Sequence, residues 1–320
     1  MTSNTTCNER FAQLGIPQTE EARRAYRELI VTTPRLGKSI SGIILYDETI
    51  RQETKGGKPF VAVLADAGIA VGIKVDAGAK DLAGHPGEKV TEGLDGLRDR
   101  LDQYRRTGAS FAKWRAVITL GEGIPTPGCI EANAQALARY AALCQEAGLV
   151  PVVEAEVVMA DDHSLELSRA ATEDVLQAVF RHLHGQRVLL EGVILKPNMV
   201  LPGSHSGAQR SIDTVANETL SSLRRVVPAA VAGIAFLSGG QAPELASARL
   251  NAINSRAKEA GSQAPWPLTF SFARAIQQPA LEIWQGKEAK VMAAQQALYQ
   301  RAHLNRLASR GECTDAMETT

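Results

Sequence analysis

The chain has 320 residues, 44% of them hydrophobic and 22% charged, with 35 basic and 35 acidic side chains. That balance describes an ordinary soluble globular chain, long enough for one large α/β domain or two smaller ones. Zero formal net charge and the lack of a long like-charge block argue against a nucleic-acid binder, no apolar run reaches the roughly 18 residues of a membrane span, and "MTSNTTCNER" has no basic-then-apolar order of a secretory signal. Cys7, Cys129, Cys144 and Cys313 are scattered without C-x-x-C spacing, which predicts free thiols in a reducing cytoplasmic setting.

In chain order, seven short apolar runs read as strands, and most carry polar residues at or near their C-terminal ends. They are "SGIILYD" to Asp47, "VGIKVD" with Lys74 and Asp76, "FAKWRAV" with Lys113 and Arg115, and "LVPVVEAEVV" with Glu154 and Glu156. "GVILK" with Lys196, "AGIAFLSGG" with Ser238, and "PLTFSFAR" with Ser271 and Arg274 follow. Between them lie helical patterns such as "EANAQALARYAALCQEAG", closed by Gly148, and a last helical stretch from about Pro279 to Arg310. Lys74, Lys113, Glu154, Lys196 and Ser238 are 39, 41, 42 and 42 residues apart, the interval of a repeated βα unit. The runs are nearly continuous in apolar residues, as parallel strands covered by helices should be. No linker or low-complexity tract divides residues 1–320, so one domain is expected. A (β/α)8 TIM barrel and a doubly wound sheet both fit. The chain has no G-x-G-x-x-G turn, and polar residues fall at strand C-termini, where barrels keep their chemistry; both favour the barrel.

Residues two apart on a strand point the same way. Lys74 with Asp76, Lys113 with Arg115 and Glu154 with Glu156 therefore project as pairs toward the barrel mouth. One member of any pair could be structural, but three pairs plus Lys196 at equivalent positions would concentrate buried charge that costs several kcal/mol unless it is used. A lysine crowded by another cation or desolvated becomes an amine nucleophile. It can attack a ketone and form an iminium that serves as an electron sink, with a carboxylic acid helping hydroxide to leave. Lys196 as nucleophile, Lys113 as tuning cation and Glu154 as acid/base complete such a set. In "LSGGQ", Ser238, Gly239 and Gly240 could be a plain turn. With Arg274 after the next run, they predict a phosphate site.

These segments together carry a resemblance. "VLLEGVILKPN" resembles the active-site signature of class I fructose-bisphosphate aldolases. "GIKVD", "FAKWR", "VPVVEAE", "FLSGGQ", "LNAIN" and "LTFSFAR" match the same family in the same order, from about Arg10 onward. The resemblance implies reversible cleavage of fructose 1,6-bisphosphate to dihydroxyacetone phosphate and glyceraldehyde 3-phosphate. It implies that Lys196 forms the Schiff base, Glu154 handles its dehydration, and Lys113 and Glu156 support the proton transfers. Ser238, Gly239 and Arg274 would hold the C1 phosphate, and Lys74 and Arg115 the rest of the sugar phosphate. It implies no metal or cofactor, a cytoplasmic enzyme and a homotetramer. The histidines at 85, 163, 182, 184, 205 and 303 suggest no ligand set, and "HLH" at His182–His184 reads as a solvated helix surface.

The family opens with a strand ending in an "ADES" type sequence, whose Asp serves the C4 hydroxyl. Here Met1 aligns with that Asp, so the first strand and its carboxylate are expected to be missing. A start lying further upstream would explain this, as would a shortened product. The second case predicts Schiff-base formation with weak cleavage. Ala273 stands where a Gly often precedes the phosphate arginine, and the last tyrosine is Tyr299 rather than a C-terminal one. A different Schiff-base lyase or transaldolase, and a non-catalytic sugar-phosphate binder or scaffold, are the alternatives.

Overall fold

A computed structural model describes residues 3–158, 162–204, 206, 210–259, 261 and 263–318; Met1 and His205 lie outside the described residues. The strands are β1 (Gly42–Leu45), β2 (Ala70–Lys74), β3 (Gly78–Asp81), β4 (Lys89–Glu92), β5 (Phe111–Ile118), β6 (Val150–Val157), β7 (Ile194–Pro197), β8 (Gly233–Phe236) and β9 (Leu268–Phe270). All seven strands expected from the apolar runs are present. They form one parallel sheet in the order β1-β2-β5-β6-β7-β8-β9. Helices cross between successive strands and the sheet curls as a TIM barrel does. Among the described residues β9 and β1 are not neighbours, so the curl is open there.

Two features depart from the expectations. β3 and β4 form a separate antiparallel hairpin in the loop after β2. Its sequence, "GAKDLAGHPGEKVTE", is charged, Gly-rich and mostly exposed, so it lacks the apolar alternation by which a strand is read. The last helical stretch is two helices, Arg274–Trp284 and Val291–Ala308, because Gln285 and Gly286 turn left-handed at φ 48° and 76° and end the first.

Local sequence explains how the site-bearing strands are held. Helix Pro127–Glu146 starts at Thr126, whose Oγ1 accepts from Cys129 N at 3.3 Å, and has Pro at its first position. It buries Tyr140 against β5 and β6, where the phenol donates to the carbonyls of Ala112 (2.6 Å) and Val152 (3.2 Å). Trp114, fully buried, packs beside it with ring centroids 5.6 Å apart. The strands carrying Lys113 and Glu154 are thereby tied from behind. At the end of β7, Asn198 accepts from Val157 N at 3.0 Å and donates to Thr172 and to the Met199 carbonyl. This fastens the end of β7 to the end of β6 just beyond Lys196.

Helix Asn4–Gln13 docks through Phe11, which meets Tyr26 at 5.8 Å and Trp284 at 6.0 Å. Tyr26 stacks on Trp284 at 5.4 Å, and its hydroxyl donates to the Gln277 carbonyl. Aromatic contacts of this kind add about 1 kcal/mol each beyond the area they bury. They seat the N-terminal helix against the helix that begins with Arg274. Glu48 locks the same corner by accepting from Arg23, Arg27 and Asn4.

Candidate active site

Strand register gathers the charges. Lys74 lies opposite Lys113, Arg115 opposite Glu154, and Glu154 opposite Lys196. All of them, with Glu156, Ser238, Gly239 and Arg274, line one cavity of about 890 Å³, the size of a small-molecule site. Every residue singled out from the sequence for catalysis or substrate binding is in it. Among the described residues its wall holds nine cationic side chains and only two carboxylates, Glu154 and Glu156, although the whole chain is neutral. Such a focused positive field suits a multiply charged anion.

The centre is one carboxylate between two lysines. Lys196 Nζ is 2.8 Å from Glu154 Oε1, and Lys113 Nζ is 2.9 Å from Oε2. All three are buried, at 8%, 7% and 4% exposure. The lysines differ in the rest of their surroundings. Asp76, buried, lies 3.8 Å from Lys113 and 2.5 Å from Lys74. Burial would lower the pKa of Lys113, but Glu154 and Asp76 outweigh it and hold it above the usual lysine value. Lys196 has Glu154 but not Asp76. Burial foremost, and the charge of Lys113 beside it, lower its pKa despite Glu154. Burial pushes Glu154 up, but the two lysines overcome it and bring its carboxyl down to about 2. Glu156 goes the other way. Burial, helped by the charge of Glu154, raises its pKa against the pull of its ion-pair partner Arg115.

On the far side of the cavity, Gly239 and Gly240 are both left-handed, at φ 54° and 83°. Successive backbone N–H groups in such a turn form a concavity for an anion, and glycine alone takes this conformation at no steric cost. The Arg274 Nη1 lies 3.7 Å from where a side chain on Gly240 would project. Ala273, φ −102°, precedes the helix that Arg274 opens.

Arg10 was not singled out from the sequence. It lines the cavity, and its Nη1 is buried without a hydrogen-bond partner among the described residues. Burial, together with the like charge of Arg274, lowers its pKa. Nothing in the local pattern of Asn4–Gln13 marks Arg10, because its position comes from the docking of Phe11 on Tyr26 and Trp284. Away from the cavity, His184 is exposed, while His182 is half-buried with Nε2 2.7 Å from Glu131 Oε2.

Seven parallel strands alternating with helices, with chemistry at their C-terminal ends and two lysines sharing a carboxylate, define an enzyme of the TIM-barrel class. Its family follows from comparison. The sequence profile of the fructose-bisphosphate aldolase class-I family matches residues 2–320, and the chain belongs to that glycolytic family of lyases. It is 54% identical over 314 residues to the "Probable fructose-bisphosphate aldolase class 1" of Xanthomonas campestris pv. campestris, covering 97% of this chain and 92% of that one. It is 48% identical over 309 residues to "Fructose-bisphosphate aldolase 4, cytosolic" of Arabidopsis thaliana, covering 97% of this chain and 78% of the other. A solved structure of fructose-bisphosphate aldolase from Plasmodium falciparum, in complex with TRAP and a small-molecule inhibitor, superposes with a TM-score of 0.94 at 43% identity. That match covers 98% of this chain and 89% of the other. These matches favour the aldolase over a non-catalytic scaffold. No helix among the described residues is long and apolar enough to cross a membrane.

Proposed function

We propose that Lys196 forms the Schiff base through which this aldolase cleaves fructose 1,6-bisphosphate to dihydroxyacetone phosphate and glyceraldehyde 3-phosphate, and joins them again. The observation that carries it is the unequal lysine pair: of two ammonium groups sharing Glu154, Lys113 is held above the ordinary lysine value and Lys196 lies below it. Lys196 passes a proton to Glu154, and the neutral amine attacks the C2 carbonyl. Lys196 then no longer carries charge, so one of the two cations that kept Glu154 ionised is gone and the carboxyl becomes a usable acid. It protonates the carbinolamine hydroxyl, water leaves, and the iminium restores the positive charge beside a carboxylate. Glu156, whose pKa is raised, and Arg115 assist the following proton transfers. Ser238, Gly239 and Arg274 hold the C1 phosphate, with Arg10 near Arg274. Lys74 and Arg115 face the other end of the sugar phosphate.

Breaking C3–C4 also needs a base at the C4 hydroxyl. The family resemblance puts that base on a strand that would fit between β9 and β1. The cavity runs between those strands, lined by Gly42–Ile44 and Thr269–Phe272. The family resemblance further suggests a cytoplasmic homotetramer, in keeping with the cytosolic Arabidopsis relative.

The test is borohydride trapping with dihydroxyacetone phosphate, read by peptide mass spectrometry, on this chain and on one carrying an added N-terminal strand. Both should give a reduced adduct on Lys196, with faster cleavage in the extended chain. An adduct on Lys113 in place of Lys196 would overturn the assignment; equal cleavage would overturn the placement of the base.

The pH profile offers an independent check. Trapping requires neutral Lys196, so its rate should rise with pH through a midpoint below the ordinary lysine value of 10.5. Lys113→Met removes a neighbouring cation and leaves Glu154 to Lys196 alone. Both changes favour the ammonium, so the profile should move to higher pH, with the rate at pH 7 falling by roughly one to two orders of magnitude. A shift to lower pH would contradict the tuning role of Lys113.

A further inference from the structure

Resting on the phosphate site assigned above, we propose that Arg249 is a positioning residue for that site, holding Gln241 so that Ser238, Gly239 and Gly240 keep the conformation that receives a phosphate. Gln241 closes the turn. Its backbone N–H donates to the Ser238 carbonyl at 3.1 Å, and its side-chain Nε2 donates to the same oxygen at 2.9 Å. Nε2 also lies 3.8 Å from Met199 Sδ, three residues beyond Lys196. A glutamine amide can present either end, and its neighbours decide which. Here Arg249 Nη1 donates to Oε1 at 2.8 Å, which turns the NH2 toward Ser238. Gln241 and Arg249 are at least nine-tenths buried, and Met199 almost wholly so.

Arg249 is costly where it stands. It projects from helix Pro243–Arg256, its Nε is buried without a hydrogen-bond partner, and among the described residues no carboxylate lies within ion-pair distance. Burial alone accounts for the lowering of its pKa. An apolar side chain there would cost less, since an unpaired buried cation is strongly unfavourable. A charge kept without a counter-ion, bonded to the residue that braces an anion loop, fits a role in function at the expense of stability.

The experiment measures the Kd for inorganic phosphate, the KM for dihydroxyacetone phosphate and maximal rate in trapping, and Tm, for Arg249→Met, Arg249→Lys and Arg274→Met. Arg249→Met should weaken phosphate binding and raise KM about fivefold, the size of one lost hydrogen bond. Its maximal trapping rate should change less than about twofold and its Tm should stay level or rise. Arg249→Lys, which keeps the cation with less reach, should recover part of the binding and serves if the methionine variant does not fold. Arg274→Met should lose at least about tenfold in phosphate binding. Two results would overturn the proposal: unchanged phosphate binding in Arg249→Met while Arg274→Met loses it, or a loss of binding that tracks a falling Tm and maximal rate. If Arg274→Met itself binds phosphate normally, the phosphate site is misassigned and the role of Arg249 falls with it.

Discussion

Lys196→Met is expected to abolish borohydride trapping and to lower cleavage by at least about 10⁴-fold, since the covalent route is lost and only binding and polarisation remain. Methionine suits this test because it fills the buried site without an amine. Glu154 keeps Lys113 as a cation partner at 2.9 Å, so the carboxylate is not stranded and the fold should persist. Circular dichroism and inorganic phosphate binding should match the parent chain. Cleavage that survived in a folded Lys196→Met protein would mean that another amine carries the reaction. The nearest is Lys113, and mass spectrometry of the trapped adduct would identify it.

The second large effect belongs to Glu154→Gln. Without the shared carboxylate, both lysines lose the group that favours their charged forms, so both pKa values should fall. The amine of Lys196 then attacks as readily as before or more so, while the carbinolamine has no acid to expel its hydroxyl. Trapping should slow by roughly 10²- to 10⁴-fold, the usual worth of a general acid/base. Borohydride reduces the iminium and not the carbinolamine, so ketose phosphate should still bind with little reducible adduct. Lys196 left without its ion-pair partner, and Lys113 left with Asp76 at 3.8 Å, should also cost about 3 kcal/mol in stability, measurable by urea unfolding at pH 7. Glu156→Gln should slow trapping less, because Glu156 pairs with Arg115 and touches neither lysine in an ion pair. Normal trapping in Glu154→Gln would move the dehydration role to Glu156, whose raised pKa makes it the other available acid.

Several parts of the molecule were legible before any coordinates. The seven strands follow from apolar runs such as Val193–Leu195 and Val152–Val153, because a strand buried on both faces must be continuously apolar. The charged positions stand out against those runs, and their spacing of about forty residues places them at one end of one sheet. The hairpin β3–β4 was not legible, since β3 is largely exposed and β4 buries only Thr91, too little to write an alternation. The break at Gln285–Gly286 was missed because Gly286 lies in a stretch otherwise rich in helix formers, and Gln285 gives no sign of its left-handed turn.

Arg10 and Arg249 show a different limit. Arg10 belongs to the cavity because Phe11 on its own helix packs against Tyr26 and Trp284 from distant segments. Arg249 belongs behind the phosphate loop because one helix face is packed against Gln241. In the sequence each is an arginine on a helix whose local pattern does not mark it.

By itself the sequence determined the parallel βα architecture, the family, and which side chains stand at the strand ends, because backbone periodicity and burial are local demands that each segment must satisfy. The tertiary structure decided how those side chains divide one chemistry. Lys113 and Lys196 look alike as residues at the ends of strands. Only packing gives Lys113 a second carboxylate in Asp76, while among the described residues Lys196 forms an ion pair with Glu154 alone, and that difference helps hold Lys113 above and leave Lys196 below the ordinary lysine value. A pKa depends on every charge within a few ångströms and on the water excluded around it, and those neighbours come from strands about forty residues apart.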